Sequence, residues 1–219
     1  MPASDALSAL LPRDWLMRPA LWRGVYLGEG QLSLTFRAFF ASVTRRLGSE
    51  AGVPVPSPWE LAPLARPHWS LSDWVRAALI ARALEAVPQA EQPQVLLRLF
   101  DAGEIGEQVS LLRTLSLLPH PAEFVELGIH ACRTNAKSVF EAIVCENPFP
   151  ASHFPALNFN QAILKAVFMD IAMARVEGLE PRITPELQRM AAGYASERRA
   201  AGRVVPTDID YLTRYGVIQ

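Results

Sequence analysis

Apolar residues along this chain recur at steps of three and four, the spacing that places them on one face of a helix. Between residues 31 and 47 they fall at Leu32, Phe36, Phe39, Phe40, Val43 and Leu47, which predicts one long helix over Gln31–Leu47. No segment carries the sustained period-two alternation of β-branched residues expected of strands. A short helix is expected near Ser4–Leu11, then a Trp-bearing segment over Trp15–Leu27 interrupted at Gly24. Residues 48–70 hold Pro54, Pro56, Pro58, Pro63 and Pro67, so they cannot form one helix and read as an extended crossing pinned by Trp59 and Trp69.

From Ser70 the pattern is regular. Ser70 and Asp73 form a Ser-x-x-Asp start before the helix Trp74–Val87, which Pro88 closes. Gln92–Ala102 ends at Gly103, Glu104–Leu118 ends at Pro119, and a long helix is expected over Ala122–Cys145. On that helix Glu123, Glu126, His130, Thr134, Lys137 and Glu141 would form one solvated stripe. Asn158 and Gln161 fit a capping box opening an almost wholly apolar helix that runs to Gly178. Thr184-Pro185 starts a helix over Pro185–Ala201. Its last turns carry Arg198, Arg199 and Arg203, which either complement the helix dipole or hold an anion.

The expected fold is all-α: an irregular helical bundle or a short α-solenoid with HEAT-like stacking of antiparallel helices, with about 8–10 helices joined by tight turns. No fixed-period repeat is present to establish the stacking. We expect a single domain over 1–219, with a Trp/Pro-rich part over 1–70, a regular core over 71–203 and a tail over 204–219.

Composition narrows the functional classes. With 21 basic and 22 acidic residues the net charge is −1, which supplies no field for steering nucleic acid. Two cysteines, Cys132 and Cys145, would lie about 20 Å apart on one helix, too far for a disulfide. With no CxxC or His companion, no metal site and no cofactor are expected. Met1–Leu11 lacks the layout of a signal peptide, and the apolar window Ala162–Val176 is broken by Lys165 and Asp170. The expectation is a cytoplasmic protein that spans no membrane, with a peripheral place at the inner membrane as a variant.

Candidate chemistry concentrates where polar groups interrupt apolar sequence. Glu146 and Asn147 precede Pro148 at a helix end, where a carboxylate opposes the helix dipole and calls for a compensating cation. Asn160, Gln161 and Lys165 enter an otherwise apolar helix, and a buried lysine needs a carboxylate such as Glu146 or Glu141. Arg133 and Asn135 are possible neighbours, with Phe149 and Phe154 as apolar walls. The candidate ligand-binding set is therefore Glu146, Asn147, Asn160, Gln161, Lys165, Arg133, Asn135 and Phe149. An enzyme would use Glu146 as general base and Lys165 as charge stabiliser.

The runs Cys132-Arg133-Thr134-Asn135, Val139-Phe140-Glu141-Ala142-Ile143, Glu146-Asn147-Pro148-Phe149-Pro150, Phe159-Asn160-Gln161 and Leu164-Lys165-Ala166-Val167-Phe168 resemble the EboA family. So do Gly178-Leu179-Glu180-Pro181-Arg182 and Tyr194-Ala195-Ser196-Glu197-Arg198-Arg199. Phe159 stands where a tryptophan is expected and Phe149 where a tyrosine is expected. The resemblance implies a component that helps move a small metabolite or its precursor from cytoplasm towards periplasm. The partners it implies are that metabolite and other proteins of the gene cluster, among them a prenyltransferase-like membrane protein. It supplies no catalytic residues. Three functions follow: a non-enzymatic protein that binds the metabolite or a pathway partner, an enzyme built on the Glu/Lys pair, or a protein–protein adaptor.

Overall fold

The computed structural model describes residues 18–49 and 68–214; the expected first helix, Trp59 and the Pro-rich crossing lie largely outside them. Among the described residues there are twelve α-helices and a two-stranded sheet, so the protein is predominantly all-α. None of these helices is long and apolar enough to cross a membrane. The chain divides into two compact units, Met1–Leu127 and Gly128–Gln219.

In the first unit, α1 (Pro19–Trp22) leads into a hairpin of β1 (Tyr26–Gly28) and β2 (Gln31–Leu32), then α2 (Leu34–Ala41) and α3 (Val43–Ser49). This replaces the single helix expected over Gln31–Leu47. Gly28, Glu29 and Gly30 all take left-handed dihedrals, which turn the chain back before Ser33 caps α2 by accepting the Phe36 N–H. The second break falls at Ser42, whose hydroxyl donates to the Phe39 carbonyl and accepts from Arg46, so a side chain competes with the helical ladder.

Three helices complete the unit: α4 (Leu71–Leu84), α5 (Gln92–Asp101) and α6 (Ile105–Thr114). The expected capping box is present, with the Ser70 hydroxyl accepting the Asp73 N–H and the Asp73 carboxylate accepting the Ser70 N–H. Asp73 also accepts from Ser110 (2.7 Å) and Arg113 (2.7 Å), tying α4 to α6. Trp69 packs on Trp74 at 4.3 Å between centroids. Phe36, Phe40, Leu79, Ile80, Leu96, Leu111 and Phe124 are fully buried and form the core.

The expected helix over Ala122–Cys145 is three pieces: a 3₁₀ turn at Pro121–Phe124, α7 (Val125–Ala131) and α8 (Lys137–Val144). Residues 132–136 separate the helices, where the Thr134 hydroxyl accepts the Ala136 N–H and offers the backbone an alternative to helix. The solvated stripe therefore does not extend past α7, and Cys132 and Cys145 do not share a helix. Both are free thiols.

In the second unit, α9 (Phe149–His153), α10 (Ala156–Phe168), α11 (Pro185–Ala200) and α12 (Asp208–Arg214) follow α8. The Asn158–Gln161 capping box does not form. Pro155 is the N-cap of α10, so Asn158 already lies inside the helix and is released for other contacts. Nor does α10 reach Gly178. It ends in a Schellman motif: Asp170 is left-handed, its N–H bonds the Val167 carbonyl, and the Ile171 N–H bonds the Ala166 carbonyl. The start at Thr184 is as expected, its hydroxyl accepting the Leu187 N–H. Arg198 donates to the Val204 carbonyl at 2.6 Å, which engages one of the three clustered arginines in ending α11.

Candidate functional site

Lys165 lies on the half-buried side of α10, three residues before the helix's last residue, and it has no carboxylate partner among the described residues. Its ammonium donates instead to the carbonyls of Cys132 (2.7 Å) and Thr134 (2.6 Å) and sits 5.0 Å from the Phe140 ring centroid. Those carbonyls lie just past the C-terminus of α7, the negative end of its dipole, so a cation is the group this place favours. The expected Glu146–Lys165 pair is thus replaced by a lysine clamp on backbone.

Glu146 has its own cation. Arg175 donates from Nε to Glu146 Oε1 (2.7 Å) and from Nη2 to Oε2 (3.1 Å), while its Nη1 lies 3.2 Å from Glu141. The Glu146 N–H reaches back to the Arg175 carbonyl at 2.7 Å. The hydrogen bond to Glu146 pushes the Arg175 guanidinium well above its ordinary range. Glu146 adopts φ 47°, a left-handed conformation at the end of α8, and the bidentate pair holds it there. The compensating cation anticipated for Glu146 is therefore Arg175. Sequence reasoning missed it, although a single arginine inside Ile171–Val176 was the available signal.

The remaining expected residues divide between interior and surface. Asn147 is buried, donates to the Ala142 carbonyl (3.0 Å) and accepts the Phe149 N–H (3.0 Å), shaping the turn from α8 to α9. Phe149 is fully buried, its ring edge-on to Phe154 at 6.1 Å. Asn160 is 3% exposed and its side chain has no hydrogen-bond partner among the described residues. Asn135 is exposed in the 132–136 connection.

Arg133, Gln161 and Lys165 do meet. With Asn158, Ile129, Cys132, Phe154 and Ala162 they line one cleft of about 140 Å³ between the end of α7 and α10. Two cations, two amides and an apolar wall face it, and no carboxylate does. The Arg133 guanidinium is exposed and unpaired among the described residues. Burial pushes the Cys132 thiol up to about 12, with Lys165 opposing, so the sulfur in the cleft is a neutral thiol at pH 7. No cluster of three or more metal-ligating side chains is present among the described residues.

Fold and cleft together define a predominantly α-helical protein whose candidate site is cationic and amide-rich. Comparison with protein families places it further: the model for the metabolite traffic protein EboA matches residues 24–213 of 219, and the chain belongs to that family. No curated protein and no solved structure matches it. The family description is consistent with a role in metabolite traffic.

Proposed function

We propose that this protein serves metabolite traffic in the cytoplasm as a binding protein, holding a small polar metabolite in the cleft between α7 and α10. The observation that carries the reading is the unpaired Arg133 beside Asn158, Gln161 and Lys165 in a cleft with no acidic wall. An anionic or carbonyl-bearing group on the metabolite would meet Arg133 and the third N–H of Lys165, and its apolar part would rest on Phe154, Ile129 and Ala162. Glu146, Asn147 and Phe149 act behind the cleft, fixing α8 and α9 in place.

Binding is preferred to catalysis because both partners of the postulated acid–base pair are committed elsewhere, Glu146 to Arg175 and Lys165 to two carbonyls. The test is Arg133→Gln in cells, with export of the pathway metabolite and thermal stability of the purified variant measured together. Export is expected to fall while stability is unchanged. Unaltered export, or turnover of a pathway intermediate by the purified protein, would overturn the proposal.

A further inference from the structure

The first unit contains a second cation-lined pocket, built independently of the α7–α10 cleft. It occupies about 150 Å³ and is lined by Arg37 of α2, Gly30, Gln31 and Leu32 of the hairpin, and Arg98, Val95 and Leu99 of α5. Several arginines elsewhere in the molecule find carboxylates: Arg113 with Asp73, Arg175 with Glu146, Arg189 with Glu186, Arg214 with Asp210. Arg37 and Arg98 do not. Both are exposed, and neither guanidinium has a hydrogen bond or ion pair among the described residues. Placing two unpaired cations on one pocket is unfavourable by mutual repulsion, so an anion between them is stabilised twice over.

The surroundings are prepared for such a group. The carboxylate of Glu91, bonded to the hairpin, is occupied by the Tyr26 hydroxyl and by the Gly30 N–H at 3.0 Å. Gly30 is left-handed, and a Cβ there would lie 2.9 Å from Gln94 Cγ and 3.8 Å from Arg98 Nε, so glycine lets the hairpin close onto α5 beside the arginine. Apart from Gln31 the rest of the lining is apolar: Leu32, Val95 and Leu99 are buried to 6%, 1% and 6% exposure.

We propose that this pocket binds a small amphiphilic anion, its carboxylate or phosphate head held by Arg37 and Arg98 and a short apolar chain lying on Leu32, Val95 and Leu99. Guanidinium groups match both oxyanions through paired N–H donors, and the apolar floor distinguishes the ligand from inorganic anions. The volume suits a short acyl or alkyl chain.

Isothermal titration of the full chain with octanoate, octyl phosphate, octanol and inorganic phosphate tests it. Octanoate and octyl phosphate are expected to bind at least tenfold more tightly than either octanol or inorganic phosphate, and their ratio tells which head the site prefers. Arg37→Gln and Arg98→Gln should each weaken octanoate about tenfold, the double variant should abolish saturable binding, and Arg98→Lys should recover part of it. Equal affinity of wild type for octanol and octanoate overturns the proposal without recourse to any variant. Retained octanoate affinity in a folded double variant overturns it as well.

Discussion

The Lys165 ammonium lies 2.6 Å from the Thr134 carbonyl oxygen and so fastens α10 to the connection that follows α7. Lys165→Met keeps the stem and removes the charge, orphaning that carbonyl and the Cys132 carbonyl at 2.7 Å. A loss of about 1–3 kcal/mol is expected. Urea unfolding checks it: the midpoint should fall with an unchanged slope.

Glu146 separates backbone strain from charge pairing. Glu146→Ala loses the Arg175 pair and keeps φ at 47°, whereas Glu146→Gly loses the pair and relieves the strain. The two side chains are 40% and 35% exposed, so the pair contributes about 1 kcal/mol or less. Alanine should therefore be the less stable variant by about 1 kcal/mol. Equal melting of the two would show that the left-handed turn carries no strain.

Gly128 is a close-packed point of the second unit. A Cβ there would stand 2.8 Å from Phe154 Cε1 and 3.0 Å from Phe149 Cε1, both on rigid rings. Gly128→Ala should cost about 1–3 kcal/mol by overpacking. Adding Phe154→Leu, which makes room, should return part of that in thermal melts. Because Phe154 also lines the cleft, the single variant should alter ligand affinity as well.

Alkaline pH should destabilise the protein through its thiols. Burial raises Cys132 to about 12 and Cys145 to about 11, against roughly 8.5 for an unfolded thiol. Below the unfolded value both states are protonated and the contribution to stability is fully present. Above it the unfolded chain ionises first, so stability falls as pH rises from about 8.5 towards the folded values. The slope is at most about 1.4 kcal/mol per pH unit for each thiol. Denaturant midpoints measured from pH 7 to 11 should show this decline, and a Cys132→Ala/Cys145→Ala variant should flatten it.

Sequence spacing disclosed the helical class, the Ser70–Asp73 box and the Thr184 start, because each is a local pattern whose partners lie within one turn. It failed where a break has no characteristic residue. Asp170 ends α10 in the left-handed position that glycine ordinarily signals. The interruption at 132–136 is fixed by Thr134 and by a lysine more than thirty residues away, and neither leaves a periodic trace. The candidate site was half legible for the same reason. Polar residues marked α10 and the turn after α8, but hydrogen-bond partners are non-local, so the expected Glu146–Lys165 pair became two separate anchors.

Arg175 also acts as a non-covalent staple. With two side-chain bonds to Glu146, a contact to Glu141 and one backbone bond, it closes a loop of chain 29 residues in span that contains all of α9 and α10. Closing such a loop costs chain entropy at each folding event, unlike a disulfide, which constrains the unfolded chain as well. A protease cut inside that loop should then leave a nicked protein whose fragments are held by core packing, with Arg175 adding only about 1 kcal/mol or less.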